Sequence, residues 1–235
     1  MPYRRLPNTD QARLRALRNA IEKAKQQGYN EQVVSFSSVR RAENILMHFE
    51  RQIAQHKQSL ESQVNANKQY QQIMQNARMH ISHFIQVFNL AVIRGEIRKE
   101  HKLLYNLEPE VHNVPDLSTE AAIFQWGEDI VNGENERIRN GGTPIYNPTI
   151  AKVQVHYEVF KEYKSTQRLY QATTQRHLEE TVKLRDEVDE ILLDIWNQVE
   201  EFYKDETPYN KLVKCQSYGL VYYYRKNEKR LSPDD

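Results

Sequence analysis

Residues 29–94 read YNEQVVSFSSVRRAENILMHFERQIAQHKQSLESQVNANKQYQQIMQNARMHISHFIQVFNLAVIR, a run between Gly28 and Gly95 that contains neither glycine nor proline. Those two residues are the strongest punctuation of a helical chain. A second uninterrupted run lies between Pro148 and Pro208. Each has room for one helix, about 85 Å long at 1.5 Å rise per residue.

Start signals agree with this reading. Tyr29-Asn30-Glu31 places an N-cap asparagine before an acidic first-turn residue. Tyr146-Asn147-Pro148 repeats the device with proline at the first helical position. A short helix over 10–27 precedes the first run, capped by Thr9 or Asp10, with Leu14, Leu17, Ile21 and Ala24 at helical spacing and Gly28 as its stop. Another over 118–139 precedes the second, capped by Ser118 or Thr119, with Ala122, Ile123, Trp126 and Ile130 on one face. It should fray near Gly133 or end by Gly141-Gly142.

The expected fold is therefore all-α: two long antiparallel helices, about 31–94 and 148–205, each preceded by a short helix. The two Tyr-Asn caps lie 117 residues apart, almost half the chain, which suggests a pseudo-two-fold duplicated helical bundle. The first repeat is 1–117, ending in a linker over 96–117. The second is 118–235, ending in a C-terminal arm over 209–230. Within that arm, Tyr218-Gly219-Leu220-Val221-Tyr222-Tyr223-Tyr224 is β-prone and predicts a short strand or an extended arm.

A seven-residue repeat tests whether the long helices pair as a coiled coil. In the first, the core lines are Val39, Leu46, Ile53, Leu60, Asn67, Met74, Ile81, Phe88 and Ala42, Phe49, His56, Gln63, Tyr70, Ala77, Phe84, Ala91. In the second they are Val153, Phe160, Gln167, Thr174, Thr181, Val188, Ile195, Phe202 and His156, Tyr163, Tyr170, His177, Leu184, Ile191, Gln198. Both seams are apolar at their ends and polar in their middles, so antiparallel pairing sets the polar stretches opposite each other. Three readings compete for this layer: a partly solvated two-helix seam, a buried network or bend, and a ligand site. His56, Asn67, Gln167 and His177 are the candidate ligand-binding residues.

Charge placement favours the same topology. From Leu178 to Glu206 there are eleven acidic residues against three basic, while residues 1–27 carry seven basic against two acidic. The formal net charge is only +1. That gives no global drive toward nucleic acid or anionic lipid, and the basic first helix, with Arg13, Arg18 and Lys25, reads as neutralising the acidic one.

Other chemistry is absent from the sequence pattern. Cys215 is the one cysteine, which excludes an intrachain disulfide and a Cys-based zinc site. It fits a reducing compartment and an inert thiol. No histidine has a glutamate three residues before it, as a di-iron bundle requires. His80 and His83 share a helix face, a two-histidine pair without a nearby carboxylate. P-loop, Gly-x-Gly-x-x-Gly and Gly-x-Ser-x-Gly motifs are missing, so no cofactor, resident metal or catalytic residue is expected. The N-terminus lacks the apolar core of a signal peptide. The apolar stretch from Ile81 to Ile93 is too short to span a bilayer. A cytoplasmic protein with no membrane partner is expected.

Pro2-Tyr3-Arg4-Arg5-Leu6-Pro7-Asn8-Thr9-Asp10 and Lys214-Cys215-x-x-Tyr218-Gly219-Leu220-Val221-Tyr222 resemble the ends of uncharacterised helical proteins of Bacteroidetes-type bacteria. The resemblance implies a bacterial cytoplasmic setting and no particular activity. The functional expectation is a non-enzymatic helical scaffold or protein-interaction protein, with a protein partner or self-association. The alternative is a small-ligand or metal-binding bundle that uses the polar mid-helix layer.

Overall fold

The computed structural model describes residues 2–26, 32–228 and 230–232. In chain order they form a two-residue strand β1 (Tyr3–Arg4), α1 (Asp10–Lys25), α2 (Phe36–Ile93), a 3-10 helix (Lys99–Tyr105), α3 (Glu120–Arg139), α4 (Ile150–Phe202), α5 (Pro208–Ser217) and a second strand β2 (Tyr222–Tyr223). The strands pair antiparallel, Tyr3 opposite Tyr223. The chain is all-α with two long helices, and α2 stays helical through 56–67, as α4 does through 167–181.

Local chemistry sets the helix ends. Thr9 Oγ1 accepts from the Ala12 N–H at 3.2 Å and Thr119 Oγ1 from the Ala122 N–H at 3.1 Å, so threonine caps both short helices. The expected cap at Tyr29-Asn30-Glu31 and the stop at Gly28 lie outside the described residues. Ser35 performs the capping of α2 instead: its Oγ accepts from the Ser38 N–H and its carbonyl from the Val39 N–H. Pro148 does not open α4. The Asn147-Pro148 peptide is cis, and Thr149 accepts from Lys152 N–H just before the helix begins at Ile150.

Two further differences have steric and capping causes. α3 continues through Gly133 without fraying, because the missing side chain admits the 3-10 helix. A Cβ there would lie 2.6 Å from the Leu104 carbonyl oxygen. Residues 208–217, expected to be an arm, form α5, since Thr207 caps it and Pro208 suits a helical first turn. The β-prone reading holds for Tyr222–Tyr223.

The heptad lines are buried unevenly: on the companion line of α4 only Ile191 is buried and Tyr170 is exposed, and on α2 Asn67 is exposed. Every seventh residue of α4 from Val153 to Ile195 is buried, including Gln167, Thr174 and Thr181. On α2, Tyr70, Ala77, Ile81, Phe84, Phe88 and Ala91 are buried as expected, but Leu60 is 45% exposed, as is half of Phe202 on α4. In the first half of α2, Ser38, Ile45, Gln52 and Ser59 are buried one residue before the expected Val39, Leu46, Ile53 and Leu60. A search for apolar periodicity passes over this line because three of its members are polar. They are satisfied by partners: Ser38 Oγ donates to Asp194 at 2.6 Å and Gln52 Nε2 to Glu180 at 2.9 Å, while Ser59 Oγ donates to the His56 carbonyl.

The chain divides into two compact units. A split unit takes residues up to Leu60 and from Thr173 onward, and a continuous unit takes Glu61–Ala172. These differ from the chain-order halves 1–117 and 118–235, since each unit takes a part of both long helices. The core of the split unit gathers Leu17, Phe49, Ile195, Trp196 and Tyr218. Arg13 grips Asp189 through two bonds of 2.8 and 2.7 Å, Arg185 grips Asp10 likewise, and Arg4 meets Glu200 at 2.8 Å. The Arg13 and Arg4 pairs use the charge asymmetry visible in the sequence, and the Arg185–Asp10 pair runs the other way. The core of the continuous unit gathers Phe84, Phe88, Tyr105, Ile123, Ile130 and Phe160. Within each unit α2 and α4 run antiparallel. Ser38 meets Asp194 and Gln52 meets Glu180 in one, and Asn67 meets Gln167 and His80 meets His156 in the other.

Candidate functional site

The four candidate residues of the polar layer do not converge. Gln167 Nε2 donates to Asn67 Oδ1 at 3.0 Å in the continuous unit. His56 and His177 belong to the split unit. His56 contributes its carbonyl to Ser59, and the His177 carbonyl accepts from Thr181 Oγ1 and Gln52 Nε2. The His177 Nδ1 is buried without a partner. Helix-to-helix bonding thus consumes Asn67 and Gln167, and the histidines act mainly through their backbone.

His80 is also engaged differently from its sequence pairing with His83. Its ring stacks on His156 of α4, with centroids 3.9 Å apart and planes 11° from parallel. Stacked parallel rings point their nitrogens alongside each other rather than toward one ion. Among the described residues, no three His, Cys, Asp or Glu side chains are grouped to hold a metal. Burial, then the neighbouring His156, Lys152 and His83, pushes the His80 imidazole below its ordinary value.

Two of the buried charged side chains, Glu134 and Arg137, lie on α3. Ile123, Gly127, Ile130, Glu134 and Arg137 follow one another at helical spacing and all are buried. Glu134 and Arg137 therefore stand on the core-facing stripe of α3. The Glu134 carboxylate accepts from the Tyr105 hydroxyl, from Arg137 Nε and Nη2 at 2.9 Å each, and from the Ile145 N–H at 3.1 Å. Arg137 Nη2 also donates to the Thr143 carbonyl at 2.7 Å. The brace thus ties the 3-10 helix, α3 and the loop before α4. Burial and the bond to Glu134 push the Tyr105 hydroxyl far above its ordinary value. Burial works against the Arg137 charge, but Glu134 and Tyr105 outweigh it and raise its pKa.

Two more bonded sets lie in the same unit. The Tyr70 hydroxyl donates to Glu120 at 2.6 Å, and Lys164 Nζ donates to the same carboxylate. Burial raises the Glu120 pKa, while Lys164 and Tyr70 outweigh it and hold the group low. The fully buried Lys102 donates to the Val111 carbonyl and lies 3.4 Å from His112 Nδ1. Burial holds its pKa below the usual lysine range. Cys215 is buried, and burial pushes its thiol up, away from a reactive thiolate.

Beside the Glu134–Arg137 brace is a cavity of about 680 Å³. The end of α2 supplies Val87 and Ala91, the turn after it Ile97 and Arg98, and the 3-10 helix His101. Arg137 and the loop 141–147, including Ile145, complete it. Gly141 has a positive φ of 88°, and the Gly142 N–H donates to the Arg137 carbonyl, which folds this loop back over the end of α3. His101 Nδ1 is buried and makes no hydrogen bond. Sequence reading did not find this place. One signal was legible, the charged pair Glu134 and Arg137 on an apolar helical stripe. The lining from 96–101 and 141–147 comes from loops without periodicity.

No family model matches the chain, no curated protein matches it, and no solved structure does.

Proposed function

We propose that the chain is a non-enzymatic binding protein whose binding place is the cavity of the continuous unit. The supporting observation is that cavity: about 680 Å³ falls within the roughly 300–1,000 Å³ of small-molecule sites, and its lining mixes apolar walls with Arg98 and His101. The non-enzymatic part rests on how the buried ionisable groups are used. A general acid or base must exchange a proton with substrate, whereas Tyr105, Glu134 and Arg137 are bonded to one another, as are Tyr70, Glu120 and Lys164. A thermal-shift screen of the whole chain over chemically diverse ligands tests the reading. Hits are expected for the parent chain and not for Ala91→Phe, which fills the cavity. Absence of any hit would end the proposal.

A second reading, a scaffold or protein-interaction role, is supported by large apolar side chains left exposed on the long helices. Phe36, Leu169, Met47 and Ile93 are the most open of them among the described residues. Light scattering and cross-linking test it, and a strict monomer that recovers no partner counts against it. Among the described residues no helix is long and apolar enough to cross a membrane. A bacterial cytoplasmic setting remains part of the proposal.

A further inference from the structure

We propose that the ligand of this cavity is an amphipathic anion, an apolar body carrying one carboxylate or comparable group, an inference that rests on the binding role proposed above. Two sets of lining residues carry it. Val87, Ala91, Ile97 and Ile145 present hydrocarbon, which attracts apolar surface away from water. Arg98 presents a guanidinium.

The local charges then decide the sign. Arg137 is spent on Glu134, and Glu96, which also lines the cavity, lies 3.9 Å from Arg94. Lys99 pairs with Glu110. Arg98 makes no ion pair among the described residues, and its side chain makes no capping bond to the 3-10 helix that follows it. It is the lining cation without a counter-charge. Its planar fork of donors suits a carboxylate better than a point charge does. His101 also lines the cavity, but its unpartnered Nδ1 is enclosed by protein and turned from the open space, so the charge of the site rests on Arg98.

A cationic or doubly anionic ligand fits less well. The first meets Arg98 with like charge and finds Glu96 already occupied. The second brings more charge than one free guanidinium balances.

4-Benzoylbenzoate is a suitable probe, because it combines an apolar body, one carboxylate and a photoreactive ketone. Its neutral counterpart is 4-(hydroxymethyl)benzophenone. Calorimetric titration of the whole chain is expected to show the acid binding roughly tenfold more tightly than the alcohol, the scale of one charge-assisted hydrogen bond. Arg98→Gln, a change at an exposed side chain, should weaken the acid roughly tenfold and so remove its advantage over the alcohol. Irradiation should attach the probe within 87–101 and 137–147. Equal affinities for acid and alcohol, with cross-links in the cavity, would overturn the anionic class and leave the binding site standing. Cross-links elsewhere, or no binding by either compound, would overturn the site and the class together.

Discussion

The two units hold themselves together with different chemistry. In the split unit the long-range charge pairs sit near water. Arg13 and Asp189 retain 12% and 24% of their side-chain exposure. In the continuous unit Arg137 and Glu134 retain 3% and 0%. A pair near water gains little, because solvent screens it and the unpaired groups are well hydrated. A fully buried pair is also a poor source of net stability, since desolvation offsets the attraction. Its loss on one side is costly, because the remaining charge is then stranded. The split unit should therefore depend on its apolar core, and the continuous unit on the completeness of its polar braces. The two tryptophans report on them separately, Trp196 in the split unit and Trp126 in the continuous one.

Phe49→Asp should cause the largest loss. The ring is fully buried in the split core, and the change combines a cavity with an unpaired charge, a cost of more than about 4 kcal/mol. Urea denaturation followed through Trp196 would measure it, and an unchanged midpoint would mean that the assigned core face is wrong. Glu134→Leu should cost the continuous unit about 3–5 kcal/mol by stranding Arg137. Glu134→Leu combined with Arg137→Met should recover much of that loss in Trp126 unfolding. If the double variant is no better than the single one, stranded charge is not the cause.

The histidine stack distinguishes the units by pH. His80 is held below its ordinary value of 6.5 in the folded chain, so the unfolded chain binds the proton more readily. Its stabilising share is intact above pH 6.5 and is lost as pH falls from there toward the folded value. The Trp126 midpoint should decline between pH 7 and 5, and His80→Phe should flatten that decline. A slope that persists in the variant would assign the effect to other groups. Arg13→Ala should cost the split unit only about 0.5–1 kcal/mol, as expected for a partly exposed pair, visible as a small Trp196 shift that fades in high salt. The smallest effect is expected from His177→Leu. Its Nδ1 is buried without a partner, so the change should be neutral or slightly stabilising by thermal melt.

The long helices were legible because punctuation and periodicity act over many residues. The absence of glycine and proline and the sevenfold line from Val153 to Ile195 both survive local exceptions. Features that depend on one contact were less visible. Gly133 reads as a helix weakness, yet in three dimensions it is where Leu104 and Tyr105 come close. Ser38, Gln52 and Ser59 lie on a core line that an apolar pattern cannot register. The polar layer was readable as a layer, but its partners were not: Asn67 and Gln167 meet, while His56 and His177 lie in the other unit. Of the cavity only the Glu134 and Arg137 pair was legible, since its other polar lining comes from the turn after α2 and the loop after α3.

The terminal motifs show how distant sequence becomes one place. Tyr3 and Arg4 pair with Tyr223 and Tyr222. Tyr222 and Arg4 both bond Glu200. Gly219, at a φ of 86°, lets the end of α5 approach Ala16, where a Cβ would lie 2.9 Å from the carbonyl oxygen.

The division into a split and a continuous unit also sets an order of events on the ribosome. Residues 61–172 emerge as one stretch, so every side chain of that core is present before α4 is finished. Leu17 and Phe49 emerge early, but Ile195 and Trp196, against which their cluster closes, are made only afterwards. The part of the split unit made before residue 61 is thus completed only after the continuous unit, and for that interval its apolar surface is open to whatever nascent-chain helper stands at the exit.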